Sequence, residues 1–182
     1  MNQPVIAVFG ASQASEGDGD YEQGVLCGRL LAAAGYGVAT GGYGGLMEAV
    51  SRGARGVGGW VLGVTAPSVF PGRSGANAYV SEELPADHLM ERIHAINDLS
   101  AAAITLPGSL GTLTELVAAW NLGFVAPFSG GRPKPLITVG DRWARVVAEL
   151  AEILATDPYL VTCVPDVESA VAEVVRRVPI ER

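Results

Sequence analysis

A strand, a glycine turn and a helix start follow one another between about residues 101 and 113, and this succession limits the folds open to the chain. The apolar run 101–106 reads as a buried strand. It ends at Pro107, which has no N–H to give to a sheet. Gly108 and Gly111 permit a tight turn with exposed backbone. From about Leu110 the spacing of Leu113, Leu116, Val117 and Trp120 marks one face of a helix. The first turn of such a helix leaves N–H groups unpaired at the positive end of its dipole, a site suited to phosphate. Thr112, in that first turn, adds a hydroxyl that can join those N–H groups around a phosphate oxygen.

Glu115 puts a carboxylate about one turn deeper, and two readings of it stand. It either belongs to a capping device or carries chemistry. Ser109 and Glu115 are six residues apart, where a capping box needs three. Thr112 and Glu115 have the right spacing, but Thr112 falls inside the helix.

The rest of the chain alternates in the same way. Strands are expected over 4–9, 36–40, 59–65, 79–84 (short), 135–139 and 160–164. Helices are expected over 21–34, from the second glycine turn to about Arg55, and over 85–100 and 142–155. A last helix runs to Arg177 with Asp166 as its N-cap. Residues 13–20 form a polar loop. The loop 66–78, with Pro67, Pro71, Gly72 and Gly75, is long enough to fold over a site. Short, continuously apolar strands separated by helices imply an α/β, Rossmann-like doubly wound and mainly parallel sheet with helices on both faces. It is expected to form a single nucleotide-binding domain over 1–182.

Three small-residue turns fall at strand carboxyl ends. They are Gly10, Ala11 and Ser12; Gly41, Gly42, Gly44 and Gly45 with Met47 following; and Gly108, Ser109, Leu110, Gly111 and Thr112. In an open parallel sheet that edge carries the ligand crevice.

Composition narrows the chemistry. Apolar residues make up 49% and charged residues 17%, so many elements must be covered on both sides. A net charge of -7, with 12 scattered basic residues, argues against a nucleic-acid surface. An anionic ligand must then be held by local dipoles and one or two arginines. Cys27 and Cys163 lie far apart and outside any C-x-x-C pattern, so neither a disulfide framework nor a structural metal is expected. No apolar run reaches membrane-spanning length, and Met1 to Pro4 lead into the first strand without a basic segment. A cytoplasmic protein is expected. The first strand is not followed by G-x-G-x-x-G, and no Gly-Lys-Ser/Thr occurs. What is left is nucleotide or sugar-phosphate binding without a P-loop.

Arg92 and Glu115 form the charged pair to consider first. Arg92 lies among Leu89, Met90, Ile93 and Ile96, so it is either functional, a snorkelling arginine whose stem covers a core boundary, or half of a structural ion pair. His88 and His94 have plainer roles as surface or packing residues.

The stretch from Ile104 to Leu116 resembles the P-G-G-x-G-T-x-x-E signature of the Lonely Guy (LOG) family, cytokinin riboside 5'-monophosphate phosphoribohydrolases long mislabelled lysine decarboxylases. Gly10, Ala11 and Ser12 resemble its first glycine-serine turn and Tyr21 its following tyrosine. Residues 41–47 resemble its G-G-G-x-x-G-L-M segment, and residues 89–93 its M-x-x-R-K segment. The similarity covers about residues 4–140. It implies a Rossmann-like homodimer with the site near the subunit boundary, Arg92 and Glu115 as catalytic residues, and Gly108, Gly111 and Thr112 as the phosphate loop.

The implied reaction hydrolyses the N-glycosidic bond of a nucleoside 5'-monophosphate, AMP or an N6-modified AMP, to free base and ribose 5-phosphate. The implied partner is a small nucleotide or sugar phosphate, with no nucleic acid, no membrane and no cofactor. Three positions depart from the pattern: Ser109 for glycine, which requires a backbone without strongly positive φ; Ile93 for lysine; and Glu48 for glycine. Molybdenum cofactor carrier proteins are similar to the same family and imply an alternative, non-catalytic binding of a phosphate-bearing pterin. The decarboxylase label fails on chemistry. Lys134, the only lysine, sits between Pro133 and Pro135 at a strand start, a poor place for a Schiff base.

Overall fold

The computed structural model describes residues 3–73 and 75–180. Met1 and Asn2, read as leading into the first strand, lie outside the described residues. So do Ser74 of the 66–78 loop and the last two positions of the 1–182 domain.

Seven strands form one sheet: β1 (Val5–Phe9), β2 (Gly37–Thr40), β3 (Val61–Thr65), β4 (Glu82–Pro85), β5 (Ala102–Thr105), β6 (Leu136–Val139) and β7 (Val161–Val164). Their order is β4-β3-β2-β1-β5-β6-β7, and every neighbouring pair is parallel. Among the described residues five helices lie between strands, α1 (Gly19–Ala33), α2 (Leu46–Arg55), α3 (Leu89–Leu99), α4 (Leu110–Val125) and α5 (Asp141–Ile153), and a sixth, α6 (Val167–Arg177), follows β7. The fold is the expected α/β Rossmann-like sheet, parallel throughout.

The period-2 alternation of the strands sorts the core into two layers. Ile6, Val8 and Val38 face Leu31 of α1, Leu46 and Val50 of α2, and Val171 of α6. Ala7, Phe9, Leu62 and Val64 face Ile96 of α3, Leu116 and Trp120 of α4, and Trp143 and Val147 of α5. Both sheet faces are therefore covered, which is why the central strands read as continuous apolar runs. Asp166 caps α6 as expected, accepting the Ser169 N–H at 2.8 Å.

The edge around β4 differs from expectation. The strand expected over 79–84 begins at Glu82, because Asn77 draws the preceding residues into a turn: its side-chain oxygen accepts the Tyr79 N–H and its carbonyl the Val80 N–H. The helix expected over 85–100 starts at Leu89, since Pro85 still belongs to the edge strand. Short 3-10 turns at Ala126–Ser129 and Pro158–Leu160 had no clear sequence signal.

The chain leaves β1 towards β2 on one side and returns at β5 on the other, so the direction of winding reverses beside β1. In such sheets a crevice opens at this point, beyond the carboxyl ends of the strands. Here the turns around it are tied together. The Ala11 N–H donates to Pro107 O at 3.1 Å, and the Leu46 N–H to Ala11 O at 2.8 Å. Among the described residues no helix is long and apolar enough to cross a membrane.

Candidate active site

A cleft of about 280 Å³ lies at this switch point. Gly10 and Ser12 line it from the first turn, Gly41 and Met47 from the second, and Ser109, Gly111 and Thr112 from the third, together with Arg92 and Glu115. Ala11, Gly42, Gly44, Gly45, Gly108 and Leu110 belong to the same turns but do not line the cleft. Gly45 has a supporting role: its φ is 72°, and a Cβ there would overlap the backbone of Ser12. Leu110 points outward and is 77% exposed.

Ser109 is the N-cap of α4, with φ -116°, so the non-glycine residue sits there without left-handed strain. Its side chain makes no capping bond. Leu113 N–H donates to Ser109 O at 2.9 Å, while the N–H groups of Leu110, Gly111 and Thr112 find no partner among the described residues. Of these residues Thr112 is buried and Gly111 exposed on the cleft. The α4 N-terminus thus presents free donors to an anion.

Arg92 is among the most buried charged residues, 6% exposed, so its head group is not at the surface as a core-boundary arginine's would be. From α3 it passes beneath the ends of β2 and β3. Nε donates to Val64 O at 2.7 Å and Nη2 to Gly41 O at 3.1 Å, with Met47 Sδ at 3.6 Å. Nη1 lies 3.7 Å from Glu115 Oε1, too far for a hydrogen bond but close enough for strong attraction. Burial lowers the Arg92 pKa and Glu115 opposes that. The guanidinium stays charged, because its ordinary value lies so far above neutrality.

Glu115, in the second turn of α4, does not cap the helix. Its carboxylate accepts no hydrogen bond among the described residues. Burial pushes its pKa up to about 7, against the lowering effect of Arg92. A carboxyl group balanced near neutrality in a cleft, beside a fixed cation, is suited to proton transfer and to stabilising a developing positive charge.

The cleft also includes Phe70, Arg73, Leu89, Ile93 and Thr114, none of them singled out from sequence as site residues. Arg73 lies over the rings of Tyr43 and Phe70, 4.6 Å from each centroid. The two rings meet edge to face, 5.6 Å apart. A usable signal existed in the Phe70-Pro71-Gly72-Arg73 run, an arginine near an aromatic on a long loop following a strand end.

Other sequence-marked residues lie elsewhere. His88 precedes α3 and His94 is exposed; neither lines the cleft. Glu48 accepts the Tyr21 hydroxyl at 3.1 Å, which gives that non-glycine position a structural partner. Lys134 Nζ donates to Asn97 O at 2.7 Å and Asp98 O at 3.0 Å, tying the end of α3 to the start of β6. Trp120 is buried and donates to Asp157 O at 3.2 Å. Among the described residues no three His, Cys, Asp or Glu side chains cluster as metal ligands would.

Comparison with known proteins gives the family and the fold. Over 103 residues the chain is 39% identical to a Mycobacterium tuberculosis protein named cytokinin riboside 5'-monophosphate phosphoribohydrolase, an alignment covering 57% of this chain and 52% of that protein. The chain therefore matches about half the length of that relative. Among solved structures it is similar to the molybdenum cofactor binding protein of Rippkaea orientalis, with TM-score 0.77, 24% identity and 97% and 98% of the two chains covered. It is also similar to the molybdenum cofactor carrier protein of Chlamydomonas reinhardtii, with TM-score 0.78, 21% identity and 98% and 100% covered. At these identities the structural likeness speaks for the fold alone. The family model LDcluster4 matches residues 3–126, which hold all three glycine turns, Arg92 and Glu115, and the chain belongs to the SLOG cluster4 family.

Proposed function

We propose that this protein hydrolyses the N-glycosidic bond of a nucleoside 5'-monophosphate, AMP or an N6-modified AMP, releasing free base and ribose 5-phosphate. The observation that carries the reading is the Glu115 carboxyl, pushed up to about 7 by burial and held 3.7 Å from Arg92 inside the cleft. The family and the name of the mycobacterial relative support the same reaction class.

In this reading the free N–H groups at the start of α4 take the 5'-phosphate, which directs the ribose C1' towards Glu115. As the C1'–N bond breaks, its electron pair leaves with the base and positive charge develops on the ribose ring. The ionised Glu115 stabilises that charge and takes a proton from the water whose oxygen bonds to C1'. A proton is returned to the departing base, so water is consumed once per cleavage. Arg92, 3.7 Å away, attracts the Glu115 carboxylate and favours its ionised form against the effect of burial. Exposed apolar residues at the end of α4 and in the 3-10 turn that follows it, Phe124 and Phe128 among them, support a homodimer.

The test is incubation with AMP and with N6-isopentenyl AMP, the products being separated by chromatography. Free base and ribose 5-phosphate in equal amounts are expected. A second reading, a carrier of a phosphate-bearing pterin, has one observation in its favour: Ile93 is buried at 3% and gives the cleft an apolar wall beside Arg92. Absence of base release, with a pterin co-purifying, would favour it.

A further inference from the structure

The cleft holds two arginines, and they are spent differently. Arg92 uses Nε and Nη2 on the backbone carbonyls of Val64 and Gly41, and its remaining Nη1 faces Glu115. Arg73 bonds through its backbone N–H to Phe70 O, and its guanidinium makes no hydrogen bond or ion pair among the described residues. Its guanidinium rests on the Tyr43 and Phe70 rings, each 4.6 Å away, which restricts its motion while leaving its N–H edges open. Tyr43 itself is fixed, since its hydroxyl accepts the Ala66 N–H at 2.8 Å. A stacked guanidinium with free N–H groups is prepared for bidentate contact with phosphate.

We infer that Arg73 is the anion clamp of the cleft, binding the phosphate of the ligand together with the α4 N-terminus, while Arg92 serves Glu115 and the backbone frame. This deepens the function proposed above and rests on it for the nucleotide nature of the ligand. The protein carries a net charge of -7, so a phosphate approaches against the overall field and needs a local cation with unspent donors. Ile93, beside Arg92, supplies none. Arg73 and Arg92 are also close enough for Arg73 to disfavour the Arg92 charge, which places both in one field and makes an anion between them favourable.

The experiment measures binding by calorimetry of AMP, ribose 5-phosphate and adenosine to the wild type, Arg73→Gln and Arg73→Lys. Arg73→Gln should weaken AMP and ribose 5-phosphate about tenfold or more and leave adenosine within about twofold. Arg73→Lys should retain part of the loss, as a point charge without the fork. The salt dependence of AMP binding should become shallower in Arg73→Gln. The inference is overturned if AMP affinity is unchanged in Arg73→Gln, if AMP and adenosine weaken equally, or if no phosphate-bearing probe binds the wild type. Base release is followed separately. Arg73-dependent AMP binding without base release leaves this inference standing and removes the hydrolase reading.

Discussion

Nη2 of Arg92 occupies the space that a Cβ on Gly41 would fill, and the same nitrogen donates to the Gly41 carbonyl oxygen at 3.1 Å. The glycine at the end of β2 is thus the seat of a buried guanidinium from α3. Gly41→Ala should displace Arg92, cost about 1–3 kcal/mol of stability and remove most turnover. Denaturant unfolding and base-release rates measured on the same preparation check both effects.

Arg92 is also a structural residue, since losing it strands the buried carbonyls of Val64 and Gly41. Arg92→Lys keeps a charge but cannot reach both acceptors in the same plane. It should cost about 2–4 kcal/mol and fail to restore turnover. An Arg92→Lys protein as stable and active as the wild type contradicts the hydrogen bonds described.

The raised pKa of Glu115 has a consequence for stability. Its folded-state value, about 7, lies above its ordinary value of 4.5, so the folded protein binds this proton more tightly than the unfolded chain. That contribution is fully present below about 4.5 and is lost as pH rises to about 7. Glu115→Gln should therefore be more stable than the wild type at pH 8, by about 1–3 kcal/mol, and nearly equal to it at pH 4. Thermal melts at the two pH values decide this. In the same range kcat/KM of the wild type should rise with pH through about 7 and level off above, because the ionised carboxylate is the working form.

Lys134 gives a contrasting case. It bonds two carbonyls at the end of α3 and does not line the cleft. Lys134→Met should cost about 1–2 kcal/mol of stability and leave turnover at the wild-type level. Loss of turnover in a stable Lys134→Met protein would revive a lysine-dependent chemistry.

Much of this architecture was legible in the sequence because local signals and global fold agree. Apolar runs ending in small-residue turns located the strands and their carboxyl edge, and Asp166 marked the start of α6. Signals failed where side-chain contacts decide the outcome. Asn77 draws residues 79 and 80 into a turn, and spacing carries no trace of that. The charge pair Arg92 and Glu115 could be named, but not that the arginine head would be buried beneath two strand ends. The place of Arg73 depends on Tyr43, thirty residues earlier, meeting Phe70 across the fold, which no local spacing signals. Glu48 departed from the resembling pattern, and only the structure supplies Tyr21 as its partner.

In the proposed reaction Glu115 drives cleavage rather than holding the fold or the ligand. The most direct measurement takes wild type and Glu115→Gln side by side, with AMP affinity by calorimetry and free base by chromatography from the same samples. AMP binding within about threefold of wild type and base release reduced by at least about a hundredfold are expected. Equal base release from the two proteins would contradict this role of Glu115.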